Sequence, residues 1–564
     1  MRVLAVALLL CFSCKPTDPG DPQTWVKRLQ DSDAKVRVKA VQELRKLKAK
    51  QAAPQVAALL KDQFVKEEAA LALQDLAGPD EVQVLIDAVD TTVGAGSDQA
   101  TRVANRTNAK IAEALGNIGD ARAGPTLLRL ARANDDYVRL AAVQALGGVR
   151  AREAVPELAR IVDDPAAPPI LAKKAIVALG EIGRAPDPAH PAASPAVSLG
   201  QMAPGQIYDP VAAAIPALEH GLVMERQGVS FLPESSFALF LIGAPAVEPL
   251  MKIAQDQDPA YLAWAKENNR APAGTYAKAA LVLGDLEDPR AVPVLLAKLK
   301  YVDPDPLPGT SRLLTNLVRQ CAANALGRMR VKEAAAPILA LVTTREPLDE
   351  ELTAFASEAL VWIGDRSQAR DLMKIAQQGG DLKVRLVVAK AAALFGEAAL
   401  GKAVQAMAER EAKGGPSWCQ KQLAELSLVA DDPKQACEML VAQIGEVAQS
   451  FEAARTCVSN SPCWLSKLEE PAPAMRARAA YELGRLGAPE AVQPLVKAAF
   501  DEQLLVRRAA TRALDWLALV EAAKPALKAA AATLAAQLSA EQGKTQYFMV
   551  NEDVRRLQVK LSRL

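Results

Sequence analysis

The sequence predicts an all-α fold, a right-handed α–α superhelix of about 11–12 helix pairs, on three observations. One phrase recurs along the chain: Ala112–Ala131 reads AEALGNIGDARAGPTLLRLA, and variants of it begin at Val143, Ala279, Ala322 and Tyr481. Half of the residues are hydrophobic but only 4% are aromatic, so the core consists mainly of Ala, Leu and Val, which suit closely packed helices. The chain has 564 residues, and a repeat array reaches this length because each unit packs only on its neighbours.

Each repeat is predicted to consist of two helices joined by a tight turn. Gly116, Gly147 and Gly180 occupy the same place in successive phrases and lie 31 and 33 residues apart. We expect this glycine to end the first helix in a left-handed conformation, which a Cβ atom would oppose. Proline is tolerated in the first turn of the second helix, because the missing N–H has no helical partner there. The chain has such prolines at Pro125, Pro156, Pro249, Pro293, Pro337 and Pro494.

The phrase resembles the HEAT repeat, specifically the short class named after the phycobilisome lyases. The resemblance rests on ALGxIG at the turn, AVPxL in the second helix and a VR pair that opens the first helix, found at Val36-Arg37, Val138-Arg139, Val384-Arg385 and Val506-Arg507. It covers most of residues 25–540 and implies a HEAT/armadillo-like solenoid. We expect the VR arginine to bond backward to a carboxylate or carbonyl groups of a neighbouring repeat. These motifs are specific for the fold but indicate very little about function.

The N-terminus predicts an exported, lipid-anchored protein. The apolar run Val3–Leu10 is far below the roughly 20 residues that span a membrane, and it is typical of a signal peptide. Ser13 before Cys14 resembles the lipobox of bacterial lipoproteins, although the two residues before Ser13 depart from the usual pattern. The resemblance implies a signal peptide over residues 1–13, lipidation of Cys14 and a tether over residues 14–24. An ordinary secretory signal is the alternative.

Interruptions of the phrase divide the rest of the chain. Residues 25–416 are predicted to form the main solenoid, residues 417–474 an irregular cysteine-containing repeat, and residues 475–564 the C-terminal repeats with a capping helix. Within the irregular repeat, a helix pair is expected over Gln420–Ala430 and Lys434–Val447, and Phe451–Leu468 is expected to break the register. Insertions in the main solenoid fall at residues 91–99, 184–210, 254–275 and 301–310. The first and the last two follow a second helix and are expected on one edge, where insertions often form a binding rim. The Pro-rich second insertion is expected on the opposite edge. The alternative is that it is a surface loop without a specific function.

Five cysteines remain beyond the signal region, and export places them in an oxidising compartment. Cys321 lies in an apolar helix and is expected to be a buried free thiol. The other four cluster in the irregular region and allow three pairings. We favour Cys457 with Cys463, since a Ser-Pro turn lies between them, which leaves Cys419 with Cys437. A zinc site is the alternative, and the lack of a CxxC pair and of nearby histidine disfavours it.

Three aromatic residues in or next to an insertion, Tyr261, Trp264 and Tyr276, are candidate interface residues. Exposed aromatic side chains are good anchors for protein partners. The alternative is that they pack over the edge of the solenoid. Trp362 and Trp516 fit apolar faces and are expected in the core.

Candidate catalytic chemistry is sparse. The chain has two histidines, His190 and His220, and no His-Glu pair, whereas the HEAT-type deoxyhypusine hydroxylases bind two irons through such pairs. No P-loop, HExxH, GxSxG or Rossmann motif occurs in a context that would support it. The sequence therefore predicts no metal, cofactor or small-molecule substrate. Its 67 basic and 66 acidic residues give no reason to expect a nucleic-acid partner.

The sequence thus predicts a non-enzymatic scaffold that binds a protein partner through its curved surface and insertion rim. The lipid anchor would display it on a membrane of the bacterial cell envelope, at the outer membrane or the periplasmic face rather than in the cytoplasm. The alternative is a HEAT-type enzyme or enzyme-associated protein, bilin lyase-like or oxidoreductase-like, which the lack of His-Glu motifs disfavours.

Overall fold

The computed structural model describes residues 18–90, 98–186, 209–343, 349–377, 382–413, 433–541 and 548–564. These ranges contain 29 α-helices and one hairpin of two short strands. Most of these helices alternate as first and second members of pairs, which confirms the predicted all-α repeat fold. The chain divides into two compact units, and the division falls between Ile242 and Gly243.

Unit 1 begins with a short helix and continues with alternating first and second helices. Its helices are α1 Pro22–Arg28, α2 Ala34–Lys46, α3 Ala53–Ala58, α4 Lys66–Leu76, α5 Val82–Asp87, α6 Gln99–Ile118, α7 Gly124–Leu130, α8 Asp136–Gly148, α9 Val155–Asp163, α10 Pro169–Gly183, α11 Pro210–Val223 and α12 Leu232–Ile242. The hairpin of β1 Glu225–Arg226 and β2 Val229–Ser230 precedes α12.

Unit 2 carries the remaining helices. They are α13 Val247–Ala254, α14 Pro259–Glu267, α15 Pro272–Leu286, α16 Val292–Lys298, α17 Pro308–Arg328, α18 Ala335–Val342, α19 Glu350–Ile363, α20 Ser367–Gln377, α21 Leu382–Phe395, α22 Gly401–Lys413, α23 Pro433–Cys457, α24 Ser461–Lys467, α25 Pro473–Leu486, α26 Val492–Ala498, α27 Leu504–Leu517, α28 Lys524–Ala540 and α29 Phe548–Ser562. The first helices here are α15, α17, α19, α21, α25 and α27.

Aspartate residues begin many first helices. The carboxylates of Asp33, Asp98, Asp135 and Asp349 each accept a hydrogen bond from a backbone N–H of the turn that follows. Such a cap satisfies one of the amide groups that have no partner within the helix and stabilises the helix by about 1 kcal/mol. The start of each repeat is therefore fixed locally.

The glycine of the repeated phrase lies inside the first helix, so the expectation that it ends this helix is wrong. Gly116 is within α6, and a Cβ atom there would lie 2.8 Å from the Cα atom of Ala145 in α8. Gly284 in α15 meets Ala325 in α17 in the same way. The left-handed residue that ends α6 is Gly119, three positions later, with φ of 75°. The phrase glycine thus permits the backbones of successive first helices to approach closely.

The VR arginine has a structural role. Arg37 donates through Nη1 to the carbonyl oxygens of Asp31 and Ser32, and its guanidinium pairs with Asp62 at 2.7 Å. The carbonyl groups belong to the segment before its own helix, but the carboxylate belongs to the segment after its repeat. Arg476, which follows Met475 rather than a valine, makes the same contacts one repeat before the end of the array. Arg37 and Arg476 therefore each connect two successive linkers, whereas Arg139 of a VR pair lies beside Asp136 of its own helix.

The first helices of unit 2 close into a ring. α15, α17, α19 and α21 are neighbours in that order, α25 packs on α27, and α27 packs on α29. Arg478 of α25 joins the two groups by donating to the carbonyl oxygens of Ala393 and Gly396 at the end of α21, at 2.7 and 2.8 Å. The ring is completed because α29 forms ion pairs with the end of α15.

An aromatic cluster lies where α19, α25 and α27 meet. The ring centroid of Trp516 is 5.4 Å from that of Trp362 and 5.2 Å from that of Tyr481. Trp362 and Tyr481 are buried, and Trp516 is half-buried. The core position expected for Trp362 is therefore observed, whereas Trp516 keeps some exposure. These contacts connect α19 directly to α25 and α27.

The predicted irregular repeat is more helical than expected. The helix expected over Lys434–Val447 continues to Cys457 as α23, because Val447 and Phe451 stay on its buried face. The break expected from Phe451 therefore falls at residues 458–460, and Pro462 lies in the first turn of α24. The helix expected over Gln420–Ala430 lies outside the described residues.

Candidate functional site

The insertion at residues 254–275 contains the additional helix α14. The carboxylate of Asp258 caps it by accepting from the backbone N–H of Tyr261 at 2.9 Å. The Tyr261 ring is buried, and its centroid lies 5.5 Å from that of Trp264, which is half-buried. α14 is therefore an ordered edge element on the rim of unit 2.

Two tyrosines join this insertion to the one at residues 301–310. The rings of Tyr276 and Tyr301 pack edge to face, with centroids 5.5 Å apart. The Tyr276 hydroxyl donates to Asp256 Oδ2 at 2.5 Å, and the Tyr301 hydroxyl donates to Asp303 Oδ2 at 2.7 Å. Each insertion thus supplies a carboxylate that fixes a tyrosine, and the two rings hold the insertions together.

Lys298, at the end of α16, lies against both rings. Its Nζ atom is 3.4 Å from the ring centroid of Tyr276 and 5.4 Å from that of Tyr301, which are cation–π distances. Burial lowers the pKa of Lys298, although the charge of Asp256 opposes this shift. Burial, followed by the hydrogen bond to Asp256, raises the pKa of Tyr276. The Tyr276 phenol therefore remains a hydrogen-bond donor. The cluster of Tyr276, Tyr301 and Lys298 holds the two insertions against each other.

The segment at residues 301–307 is held rigidly by hydrogen bonds. The backbone N–H of Asp303 donates to Thr315 Oγ1 at 2.9 Å, and the Ser311 hydroxyl donates to the Asp303 carbonyl oxygen at 2.6 Å. The backbone N–H of Asp305 donates to Asp303 Oδ1 at 3.0 Å. Asp303 is itself buried. Its contacts fix the segment against the first turns of α17.

This rigid edge presents aliphatic side chains to solvent. Val302 is 67% exposed, Leu307 64% and Leu313 67%, and Leu262 of α14 is 39% exposed. We call α14 together with residues 301–313 the apolar rim. Exposed apolar side chains that belong to connected insertions make these residues a candidate protein-binding surface.

The candidate interface residues lie at the apolar rim, but two of them are not exposed. Tyr261 and Tyr276 are buried, so the expectation of exposed anchors is wrong for both, and Trp264 alone keeps partial exposure. The reason is that Tyr276 has a stacking partner 25 positions later, in the next insertion. Sequence reasoning missed Val302 and Leu307, although both are aliphatic residues within a stretch otherwise rich in Pro and Asp.

The cysteine predictions have different outcomes. The Sγ atoms of Cys457 and Cys463 lie 1.98 Å apart as a disulfide, with 5.3 Å between the Cα atoms. The predicted partner pair, Cys419 with Cys437, lies outside the described side chains, and Cys14 lies outside the described residues. Cys321 is a free thiol in a half-buried residue, and burial raises the pKa of this thiol to about 12. It is therefore not a reactive thiolate.

The described residues offer little catalytic chemistry. No group of three or more His, Cys, Asp or Glu side chains within them is placed to hold a metal ion. His220 lies on α11, and its Nδ1 atom is 2.8 Å from Asp163 Oδ1, so it contacts a neighbouring helix. His190 lies outside the described residues. Across the described helices, none is long and apolar enough to cross a membrane alone, and one bent helix pair passes by length and composition only.

Comparisons with known proteins identify the repeats. HEAT repeats match residues 22–105, 104–180, 130–197 and 461–540, and a PBS lyase HEAT-like repeat matches residues 276–301. No curated protein matches the sequence at a significant level.

Several solved structures are similar to the chain. Importin beta is 12% identical, with 96% of this chain and 67% of that chain covered and a TM-score of 0.41. Human deoxyhypusine hydroxylase in complex with glycerol is 22% identical over 57% of this chain and 98% of that chain, with a TM-score of 0.21. The complex of CpcE and CpcF of phycocyanin lyase from Nostoc sp. is 17% identical over 56% and 97%, with a TM-score of 0.23.

Proposed function

We propose that this chain is a non-enzymatic scaffold of HEAT repeats that binds a protein partner at the apolar rim of unit 2. The observation that carries the proposal is the exposure of Val302, Leu307 and Leu313 on a segment that hydrogen bonds hold rigid. A preformed surface binds a partner without first losing the conformational entropy of a mobile loop. The central side chains of such a surface contribute most of the binding free energy.

A charge substitution in the apolar rim tests this function. Leu307→Asp places a carboxylate at an exposed position of the apolar rim, and we expect it to remove a partner recovered by wild-type protein from detergent-solubilised membranes. Leu519→Asp is the matched control, because Leu519 is equally exposed at 71% but lies in the turn between α27 and α28. Recovery of the same partner by both variants would show that the apolar rim is not the binding surface.

We further propose that lipidated Cys14 holds the scaffold on a membrane of the bacterial cell envelope. The support is the sequence alone: a short apolar run precedes Cys14, and Pro and Asp residues follow it as a tether. Lipidation at this cysteine would supply the anchor. We expect Cys14→Ala to move the protein from the detergent phase to the aqueous phase, whereas Cys11→Ala should leave it in the detergent phase. Unchanged partitioning of the Cys14 variant would refute the anchor.

A further inference from the structure

Helix α29 binds the distant helices α15 and α17 through ion pairs. Asp553 Oδ1 lies 3.1 Å from Arg328 Nη1, and Lys560 Nζ lies 2.6 Å from Glu287 Oε1. Arg556 Nε lies 2.9 Å from Oδ2 of Asp285, a buried carboxylate at the end of α15. Residues at positions i, i+3 and i+7 share one face of a helix. The three charged side chains of α29 therefore form a single ionic stripe.

A second stripe of α29 is apolar. Val550, Val554, Leu557 and Leu561 recur at helical spacing and are all buried. α29 packs along α28 and against α27, the helices of the last repeat. The helix therefore has two attachments: apolar packing and ion pairs with Arg512 and Asp515 hold it to the last repeat, and ion pairs connect it to α15 and α17.

The ionic attachment is shared between several groups. Asp285 also pairs with Arg328 at 2.7 Å, and Lys560 also pairs with Asp515 of α27 at 3.2 Å. Burial by itself would raise the pKa of Asp553, but nearby guanidinium groups, that of Arg328 first, lower it to about 2. A buried charge that loses its partner is strongly destabilised. Weakening one of these ion pairs therefore weakens the ion pairs that share a side chain with it.

An open cleft of about 340 Å³ lies next to the ion pair between Lys560 and Glu287. Its lining includes Glu287 and Arg330. Glu287 holds Lys560, and Arg330 pairs with Asp515 at 3.3 Å. A charged group that enters the cleft would compete with Lys560 of α29 for Glu287, and with Asp515 of α27 for Arg330. The ion pair between α29 and the end of α15 is thus accessible from solvent on the side of the cleft.

We propose that α29 is a releasable ionic clasp that closes the first-helix ring of unit 2 at α15 and α17. Release breaks the ion pairs that Asp553, Arg556 and Lys560 make with α15 and α17, while the apolar stripe and the pairs with Arg512 and Asp515 keep α29 on the last repeat. The acidic end of α15 and the Arg328 side chain are then open to a partner. In the closed state, the ion pairs with Arg556 and Asp553 of α29 keep these groups from binding a partner.

Charge reversal in the full-length protein tests the clasp. Lys560→Glu places a carboxylate beside Glu287, and both positions are partly exposed, so that the substitution is tolerated more easily than one at Asp285. The measurement is amide hydrogen exchange over α15, α17 and α29, with circular dichroism as the check on helix content. Lys497→Glu is the control, because the Lys497–Glu469 pair lies on the open surface, with side chains 76% and 73% exposed.

We expect Lys560→Glu to accelerate exchange at the end of α15 and in α29 by roughly tenfold or more, since several linked pairs are lost together. Helix content should stay unchanged, and the added substitution Glu287→Lys should restore much of the protection by reversing both charges. The Lys497→Glu control should exchange as wild type does. Unaltered exchange in Lys560→Glu would overturn the proposal, and so would acceleration that Glu287→Lys fails to reduce.

Discussion

The contact between the phrase glycine and the next first helix makes a quantitative prediction for Gly284→Ala. The new Cβ atom would lie 2.6 Å from both the Cα and the Cβ atoms of Ala325. Carbon atoms pack favourably at about 3.5–4.0 Å, so α15 and α17 would have to separate by about 1 Å at their crossing. Overpacking of this kind costs about 1–3 kcal/mol.

Gly445→Ala is the matched control. Gly445 lies in the interior of α23, and a Cβ atom there would meet nothing within 4 Å. Both substitutions gain about 1 kcal/mol of helix propensity. That gain cancels when the two variants are compared, and the difference between them is the overpacking cost itself.

The assay is denaturant unfolding of the full-length protein, combined with hydrogen exchange over α15 and α17. The local measurement is needed because a long repeat array does not have to unfold in a single transition. We expect Gly445→Ala to be slightly stabilised, Gly284→Ala to be less stable than it by about 1–3 kcal/mol, and exchange to rise at the crossing. Equal stability of the two variants would refute the role assigned to the phrase glycine.

Three further predictions concern the core, a strained residue and pH. Leu146→Ala removes a fully buried side chain of α8 and should cost about 2–5 kcal/mol in the free energy of unfolding, measured with denaturant; a cost near zero would contradict its core position. Val458 adopts φ of 46°, which is unfavourable for a β-branched residue, so Val458→Gly should stabilise the protein by about 1–2 kcal/mol, seen as a higher unfolding midpoint; a lower midpoint would contradict this. The pKa of Asp553, lowered to about 2 from its ordinary 3.8, gives stability that is present above pH 4 and lost as the pH falls towards 2. The loss between pH 4 and pH 2 should therefore be smaller in Asp553→Asn by roughly 2 kcal/mol, and an equal loss in both proteins would refute it.

The repeated phrase was sufficient to predict the fold but assigned one residue the wrong role. Helical spacing and the recurrence of ALG determine which side chains are buried, and these are local properties of the sequence. The role of Gly116 is not local, because it depends on the approach of Ala145 in the next repeat. A glycine near a helix end suggests a cap, and the structure places that cap at Gly119 instead.

The candidate site was predicted only in part for a similar reason. Pro and Asp residues identified residues 301–310 as an insertion, and insertions at an edge suggest a binding rim. The exposure of Leu307 depends on the hydrogen bonds of Asp303 to α17, and the burial of Tyr276 depends on its contact with Tyr301. Such pairings between separate segments have no signal in hydrophobic spacing.

Ring closure changes what unit 2 can offer to a partner. In an open solenoid, each repeat contacts only its neighbours, and its concave surface is free. In unit 2, Trp362 meets Trp516 across the ring, and Lys560 contacts Glu287 at the opposite end of the unit's sequence. The protein's own side chains therefore occupy part of the surface between these helices, and of the two contacts only the one made by Lys560 depends on the proposed clasp. If both proposals hold, we expect a partner to bind at the apolar rim, where Leu307 and Leu313 are exposed, and release of α29 to uncover the acidic end of α15 and Arg328.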